Sequence, residues 1–148
     1  MLTSLIAAMY IGASANGLLP QGGSPLAAGA GAALRAGAYL TDDAAAEGEL
    51  GWTRGAYGFG AQGLFHFQGW GLYNRFFGYS RFDPFLTLGA RGWLAEHGHG
   101  QIGPKAGLGA FYHLTDDWSL RADADATLGL DTETEMVYSL SVGVQYEF

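Results

Sequence analysis

The chain closes on Met136-Val137-Tyr138-Ser139-Leu140-Ser141-Val142-Gly143-Val144-Gln145-Tyr146-Glu147-Phe148, and this stretch decides how the rest is read. Tyr138, Leu140, Val142, Val144, Tyr146 and Phe148 alternate with Ser139, Ser141, Gly143, Gln145 and Glu147. A period of two sends successive side chains to opposite faces of a strand, whereas a helix would need its apolar residues three and four apart. The segment reads as a strand with one hydrocarbon face and one polar face.

Working back along the chain, the same design recurs around an internal repeat. Tyr39-Leu40-Thr41-Asp42-Asp43 matches His113-Leu114-Thr115-Asp116-Asp117 at an offset of 74 residues, taking Thr41 to Thr115. Thr-Asp-Asp is turn chemistry, because short Asp side chains bond nearby backbone amides, so two tight hairpins are expected at one end of the molecule. After the second turn, Trp118, Leu120, Ala122, Ala124, Ala126, Leu128 and Leu130 share one face, and Ser119, Arg121, Asp123, Asp125, Thr127 and Gly129 the other. After the first, Ala46, Gly48, Leu50 and Trp52 oppose Glu47, Glu49, Gly51 and Thr53. Further strands are expected near 2–16, 28–39, 57–67, 85–94 and 103–113, which brings the count to eight. Each is about the 9–11 residues that a tilted strand needs to cross a bilayer. Aromatics gather at the strand ends. Tyr112, Trp118, Tyr146 and Phe148 lie beside the Thr-Asp-Asp turns, and Trp52, Tyr57, Phe59 and Trp93 fall towards the opposite side, as two membrane interfaces would select.

Composition narrows the class. The 148 residues suit a single domain over 1–148. Charged residues make up only 14%, well below the roughly 25% of soluble chains, while there are 25 glycines and 14% aromatics. The seven Lys and Arg residues are scattered in a chain of net charge −7, which excludes the clustered positive footprint of a nucleic-acid binder. With no cysteine, disulfide frameworks and thiolate metal sites are excluded too. A membrane helix fails, because Asn16, Gly17, Pro20, Gln21, Gly22, Gly23, Ser24 and Pro25 interrupt the uncharged region before Arg35. Met1 to Ala15 is apolar and ends in Ala13-Ser14-Ala15, a pattern a secretory signal could show. No Lys or Arg lies near Met1, so the segment reads as the first strand, with the native signal expected to be replaced by Met1.

If the apolar faces meet lipid, the interior receives Arg35, Glu47, Glu49, Gln62, His66, Arg91, Lys105, Arg121, Asp123, Asp125 and Glu147, since each has the parity opposite its strand's apolar face. Buried charge is costly unless compensated, so four cations facing five acids should pair across the lumen. Eight strands leave an interior just wide enough for side chains to fill, so a plug is expected rather than a wide channel. Inward glycines such as Gly37, Gly60, Gly89, Gly107, Gly109 and Gly143 would make room for the long charged side chains. A soluble barrel of the lipocalin kind has the same period but would carry its charges outside, and the charges are too few for that surface. The expected fold class is therefore all-β, an eight-stranded antiparallel up-and-down transmembrane β-barrel.

Four features carry a resemblance: Tyr10-Ile11-Gly12-Ala13-Ser14, the strand-Leu-Thr-Asp-Asp-strand units, Arg81-Phe82-Asp83-Pro84-Phe85 leading into Leu88-Gly89-Ala90, and the terminal Val144-Gln145-Tyr146-Glu147-Phe148. Along nearly its whole length the chain resembles the small OmpA/OmpX-like barrels of the bacterial outer membrane. The resemblance implies that location, the lipid bilayer as partner, and a C-terminal signal carried by Tyr146 and Phe148 for the outer-membrane assembly machinery. It departs from such barrels in its short outer connections near 17–27, 54–56, 95–102 and 131–135. The connection from Gln68 to Asp83, by contrast, is long and aromatic, and reads as an interfacial anchor. No peptidoglycan-binding segment follows Phe148, which argues against a wall tether.

Chemistry finds little support. Glu96, His97 and His99 sit in a glycine-containing loop that does not preorganise metal ligands, and no His-x-Ser pattern accompanies His66, His97, His99 or His113. The acidic pairs Glu47 with Glu49 and Asp123 with Asp125 have arginines nearby, which favours charge compensation over acid/base catalysis. The expectation is a monomeric structural barrel with a charge-paired, plugged interior, no cofactor and no enzymatic activity. A small ion or solute pore is the first alternative, and an enzyme on the lipid face the second.

Overall fold

Alternation carries nearly every described segment into strand. The computed structural model describes residues 8–21, 26, 28–67, 81–96, 98, 100–130 and 134–148. Its strands are β1 Met9–Pro20, β2 Gly29–Thr41, β3 Ala44–Thr53, β4 Ala56–His66, β5 Phe82–Ala95, β6 Gly100–His113, β7 Trp118–Gly129 and β8 Glu135–Glu147. Each pairs antiparallel with its neighbours in sequence, and β1 also pairs with β8, so the sheet closes into an eight-stranded barrel with no free edge.

The start of β1, the end of β8, the β2–β3 turn and the β6–β7 turn lie at one end, here the terminal end. The β3–β4 turn lies at the other, the distal end, where Arg54-Gly55 suffices to reverse the chain because Gly55 adopts φ 79°. In both Thr-Asp-Asp turns the capping acceptor is the threonine hydroxyl and not the aspartate. Thr41 Oγ1 accepts from the Asp43 amide at 3.3 Å, and Thr115 Oγ1 from the amides of Asp117 at 3.3 Å and Trp118 at 3.0 Å. The aspartates are left exposed.

The outer and inner surfaces are the reverse of a soluble barrel's. Leu34, Leu50, Leu140 and Val142 are each at least 60% exposed, while Arg35, Arg91, Lys105, Arg121 and Asp123 are buried. Such a belt of hydrocarbon is stable only where lipid replaces water. Trp118, Tyr146 and Phe148 face outward near the terminal end, with ring centroids 5.0 and 5.1 Å apart along the series. Trp52 and Tyr57 do so towards the distal end. Trp93 does not join that outer band. It is in phase with Arg91 and so points inward, where it is buried against Leu18, Leu26, Ala56 and Val137. A second inner cluster, of Tyr10, Ala45, Leu64, Phe85 and Phe111 with Tyr39 against it, fills the terminal end. Glycine makes this possible: a β-carbon on Gly109 would lie 2.5 Å from Phe85 Cζ and 2.7 Å from Asp123 Cβ.

Strand boundaries differ from the sequence expectation where a residue read as a breaker sits inside a strand. Asn16 and Gly17 continue β1, which reaches Pro20 opposite Val137, while residues 1–7 lie outside the described residues. Pro84 lies within β5 because it faces outward and its carbonyl still accepts the Phe67 amide at 3.0 Å. Of the connection expected over 68–83, residues 68–80 lie outside the described residues, and Phe82 and Asp83 belong to β5. His97 and His99 also lie outside them.

Candidate functional site: the charged interior

Between the two inner clusters the described inward positions at mid-height are polar or glycine, apart from Ala33, because the strands keep their phase through the barrel. β2 supplies Arg35, β3 Glu47 and Glu49, and β4 Gln62. β5 supplies Arg91, β6 Lys105, β7 Arg121, Asp123 and Asp125, and β8 Ser139 and Ser141. All of these are buried.

They divide into two linked groups. Nearer the terminal end, Arg121 donates from Nη1 to Glu47 and from Nε to Asp123 at 2.7 Å. Glu47 also accepts from the Tyr10 hydroxyl at 3.0 Å and from Gln62 Nε2 at 2.6 Å. Nearer the distal end, Arg91 donates to Glu49 at 2.6 Å, to Asp125 at 2.7 Å and to Ser139 at 3.0 Å, and Lys105 Nζ lies 3.1 Å from Asp125. Arg35 joins the groups: its Nε donates to Glu49 at 2.8 Å, and its Nη2 to Ser141 at 2.9 Å and Asp123 at 3.3 Å. Four cations thus face four carboxylates, and each charge has at least one opposite charge within 3.3 Å. Charge-assisted, forked guanidinium contacts of this kind are the strong class of hydrogen bond.

The layer is tied to the clusters above and below. The Arg121 guanidinium lies 5.0 and 5.3 Å from the ring centres of Phe85 and Phe111, and that of Arg91 lies 5.8 Å from Trp93. Beside Asn16, Trp93 and Thr53 remains a cavity of about 10 Å³, room for one water molecule.

Two residues expected in this network lie elsewhere. His66 belongs to the terminal cluster, where its Nδ1 pairs with Asp83 at 2.6 Å and its ring stacks on Phe111 with centroids 5.8 Å apart. Glu147 is half-buried at the terminal rim, because its strand ends there; removing it from the set turns five acids into four and balances the charge. Sequence reasoning missed Asp83, Tyr10, Ser139 and Ser141 as interior partners. The signal existed for Asp83, which has the same parity as Arg91 once β5 is allowed to run through Pro84. Asp83 also lies 3.9 Å from His113 Nε2, and His113 Nδ1 is 2.8 Å from Ser119 Oγ. Among the described residues no three His, Asp or Glu side chains are placed to hold a metal ion.

The strand order, closure and inverted surfaces decide the comparison with known proteins. The fold is that of the small outer-membrane β-barrels. Neisserial surface protein A is 19% identical, with 95% of this chain and 97% of that one covered and a TM-score of 0.69. The N-terminal β-barrel domain of Pseudomonas aeruginosa OprF is 18% identical, with 94% and 97% covered and a TM-score of 0.62. A designed transmembrane β-barrel, at 11% identity and 96% coverage of both chains, scores 0.65. That a designed sequence fits as well as natural ones places the likeness in the architecture alone. No protein-family profile matches the sequence, and no curated protein matches it.

Proposed function

We propose that this chain is a structural barrel of the bacterial outer membrane, monomeric and without catalytic activity, whose lumen is closed to solutes. The observation that carries the reading is the balanced layer of four cations and four carboxylates between two packed apolar clusters. An ion entering the lumen would have to separate at least one buried pair, at a cost of several kcal/mol per unpaired charge. The outward Tyr146 and Phe148, at the end of the closing strand, are offered to the assembly machinery as the recognition signal. The test is single-channel recording in planar bilayers. Closed traces at the level of protein-free membranes support the reading, and steady, reproducible conductance steps would replace it with the pore. Turnover of bilayer lipid by the purified barrel would replace it with an enzyme.

A further inference from the structure

Four polar side chains from four consecutive strands form a line across the inner wall at the terminal rim: His66 of β4, Asp83 of β5, His113 of β6 and Ser119 of β7. One carboxylate oxygen, Asp83 Oδ2, faces both imidazoles, His66 Nδ1 at 2.6 Å and His113 Nε2 at 3.9 Å. The two rings differ in what reaches them. The His66 side chain is 4% exposed, shut in by Tyr39, Phe85 and Phe111. That of His113 is 33% exposed, so protons from water reach it first. Its Nδ1 lies 2.8 Å from Ser119 Oγ, a partner that suits either charge state, because a hydroxyl donates to a bare nitrogen and, turned about, accepts from a protonated one. His66 Nε2 has no such partner among the described residues. The other ionisable groups near the two rings are mostly acidic. β8 brings Glu147, and the β6–β7 turn brings Asp117. β1 and β2 bring the hydroxyls of Tyr10 and Tyr39, the first bound to Glu47. Arg121 of β7, over Phe85 and Phe111, is already held by Glu47 and Asp123. Arg81, whose carbonyl accepts the His113 amide, is exposed.

We propose that His113 is a proton-operated latch of the terminal mouth: uncharged it stands off from Asp83, and protonated it closes on that carboxylate and ties the ends of β4 to β7 into one line. At 3.9 Å the two groups make no direct hydrogen bond. A positive ring closes that gap, since charge-assisted N–H···O contacts settle at about 2.8 Å. Asp83, bound already to His66, then joins β6 to β4 through a single side chain, and Ser119 carries the tie on to β7. The sign follows from the surroundings. In the closed mouth a charged His113 faces Asp83 and Glu147, and in an opened mouth it faces water. The closed form therefore gains stability as pH falls below the ordinary imidazole range, about 6.5, and loses it as pH rises through that range. The latch belongs to the terminal rim, and the ionic layer beneath it keeps its pairs at either pH. It stands or falls separately from the conductance of the lumen.

The test compares wild type with His113→Asn, which keeps a polar partner for Ser119 but carries no titratable group. Each protein is refolded into phosphatidylcholine vesicles, whose headgroup charge does not change over the range used. Hydrogen exchange is followed by mass spectrometry at about pH 5.5, where imidazole is charged, and at about pH 8, where it is not, and each rate is divided by the intrinsic rate at that pH. In wild type the terminal ends of β5, β6 and β7 should be about fivefold better protected at the lower pH, the effect of a partly exposed ion pair, with segments around Arg91 unchanged. His113→Asn should abolish the pH difference. A merely structural role for His113 would instead lower protection equally at both pH values and leave the difference in place, which overturns the proposal. So does wild type that shows no difference. Should the variant not fold, wild type decides: its protection must change with the midpoint at which the His113 ring resonances titrate by NMR. A midpoint that follows His66 instead, or that falls in the carboxyl range at about pH 4, overturns the proposal.

Discussion

The two ends of the lumen are closed with different materials, and the difference shows how the charged layer is held. At the terminal end, aromatic rings interlock: Phe85 and Phe111 lie 4.7 Å apart, Tyr10 and Tyr39 5.4 Å, and His66 sits among them bound to Asp83. At the distal end Leu18, Leu26 and Val137 pack with Ala56 around the single Trp93, and Gln101 donates to Glu135 across 3.3 Å. The terminal cluster is joined to the ionic layer by three contacts, namely Arg121 over two rings and the Tyr10 hydroxyl on Glu47. The distal cluster is joined through Arg91 over Trp93 at 5.8 Å. The ionic layer and the terminal cluster should therefore behave as one unit, and the distal cluster as a lid that can loosen alone.

The sharpest way to break that unit is Arg121→Leu, which leaves Glu47 and Asp123 short of a partner and removes both ring contacts. Loss of one member of a buried ionic network costs about 3–5 kcal/mol, so urea unfolding in vesicles should shift by that amount or the barrel should fail to assemble. Phe85→Ala comes next, at about 3 kcal/mol, and should speed hydrogen exchange in β5 and β6 and around Arg121 as well. Leu18→Ala sharpens the contrast from the other side. It should cost about 2 kcal/mol while leaving exchange around Arg121 unchanged; spread of the effect into the ionic layer would show the two ends to be equivalent. The smallest effect is expected from Ser139→Ala, which removes one hydroxyl bridge between Arg91 and Asp125 while their direct 2.7 Å bond remains. About 1 kcal/mol is expected from the same unfolding curves.

Much of this arrangement is written in the parity of the chain. Because every strand keeps its period of two, the inward set from Arg35 to Asp125 could be named before any contact was known. What parity does not carry is height along the barrel axis. His66 and Arg91 face the same lumen, yet the antiparallel register sets His66 opposite Phe85 and Arg91 opposite Gly60, so one meets aromatic rings and the other carboxylates. Trp93 illustrates the opposite failure: its aromatic character suggested the outer band, and its phase, shared with Arg91, sent it inward. Partner choice was equally hidden, since Arg35 and Asp123 are 88 residues apart and meet only because the sheet closes.

The absence of cysteine from the chain allows the central claim, a closed lumen, to be tested directly. Ser14 points inward from β1, is buried, and its hydroxyl makes no hydrogen bond among the described residues, so Ser14→Cys should leave the barrel intact. The folded variant in vesicles is exposed to a charged, membrane-impermeant thiol reagent, with exposed Thr115→Cys as the positive control. The account predicts rapid labelling at position 115 and labelling at position 14 only after unfolding in urea. Labelling of position 14 in the folded barrel at a rate near that of the control would contradict it.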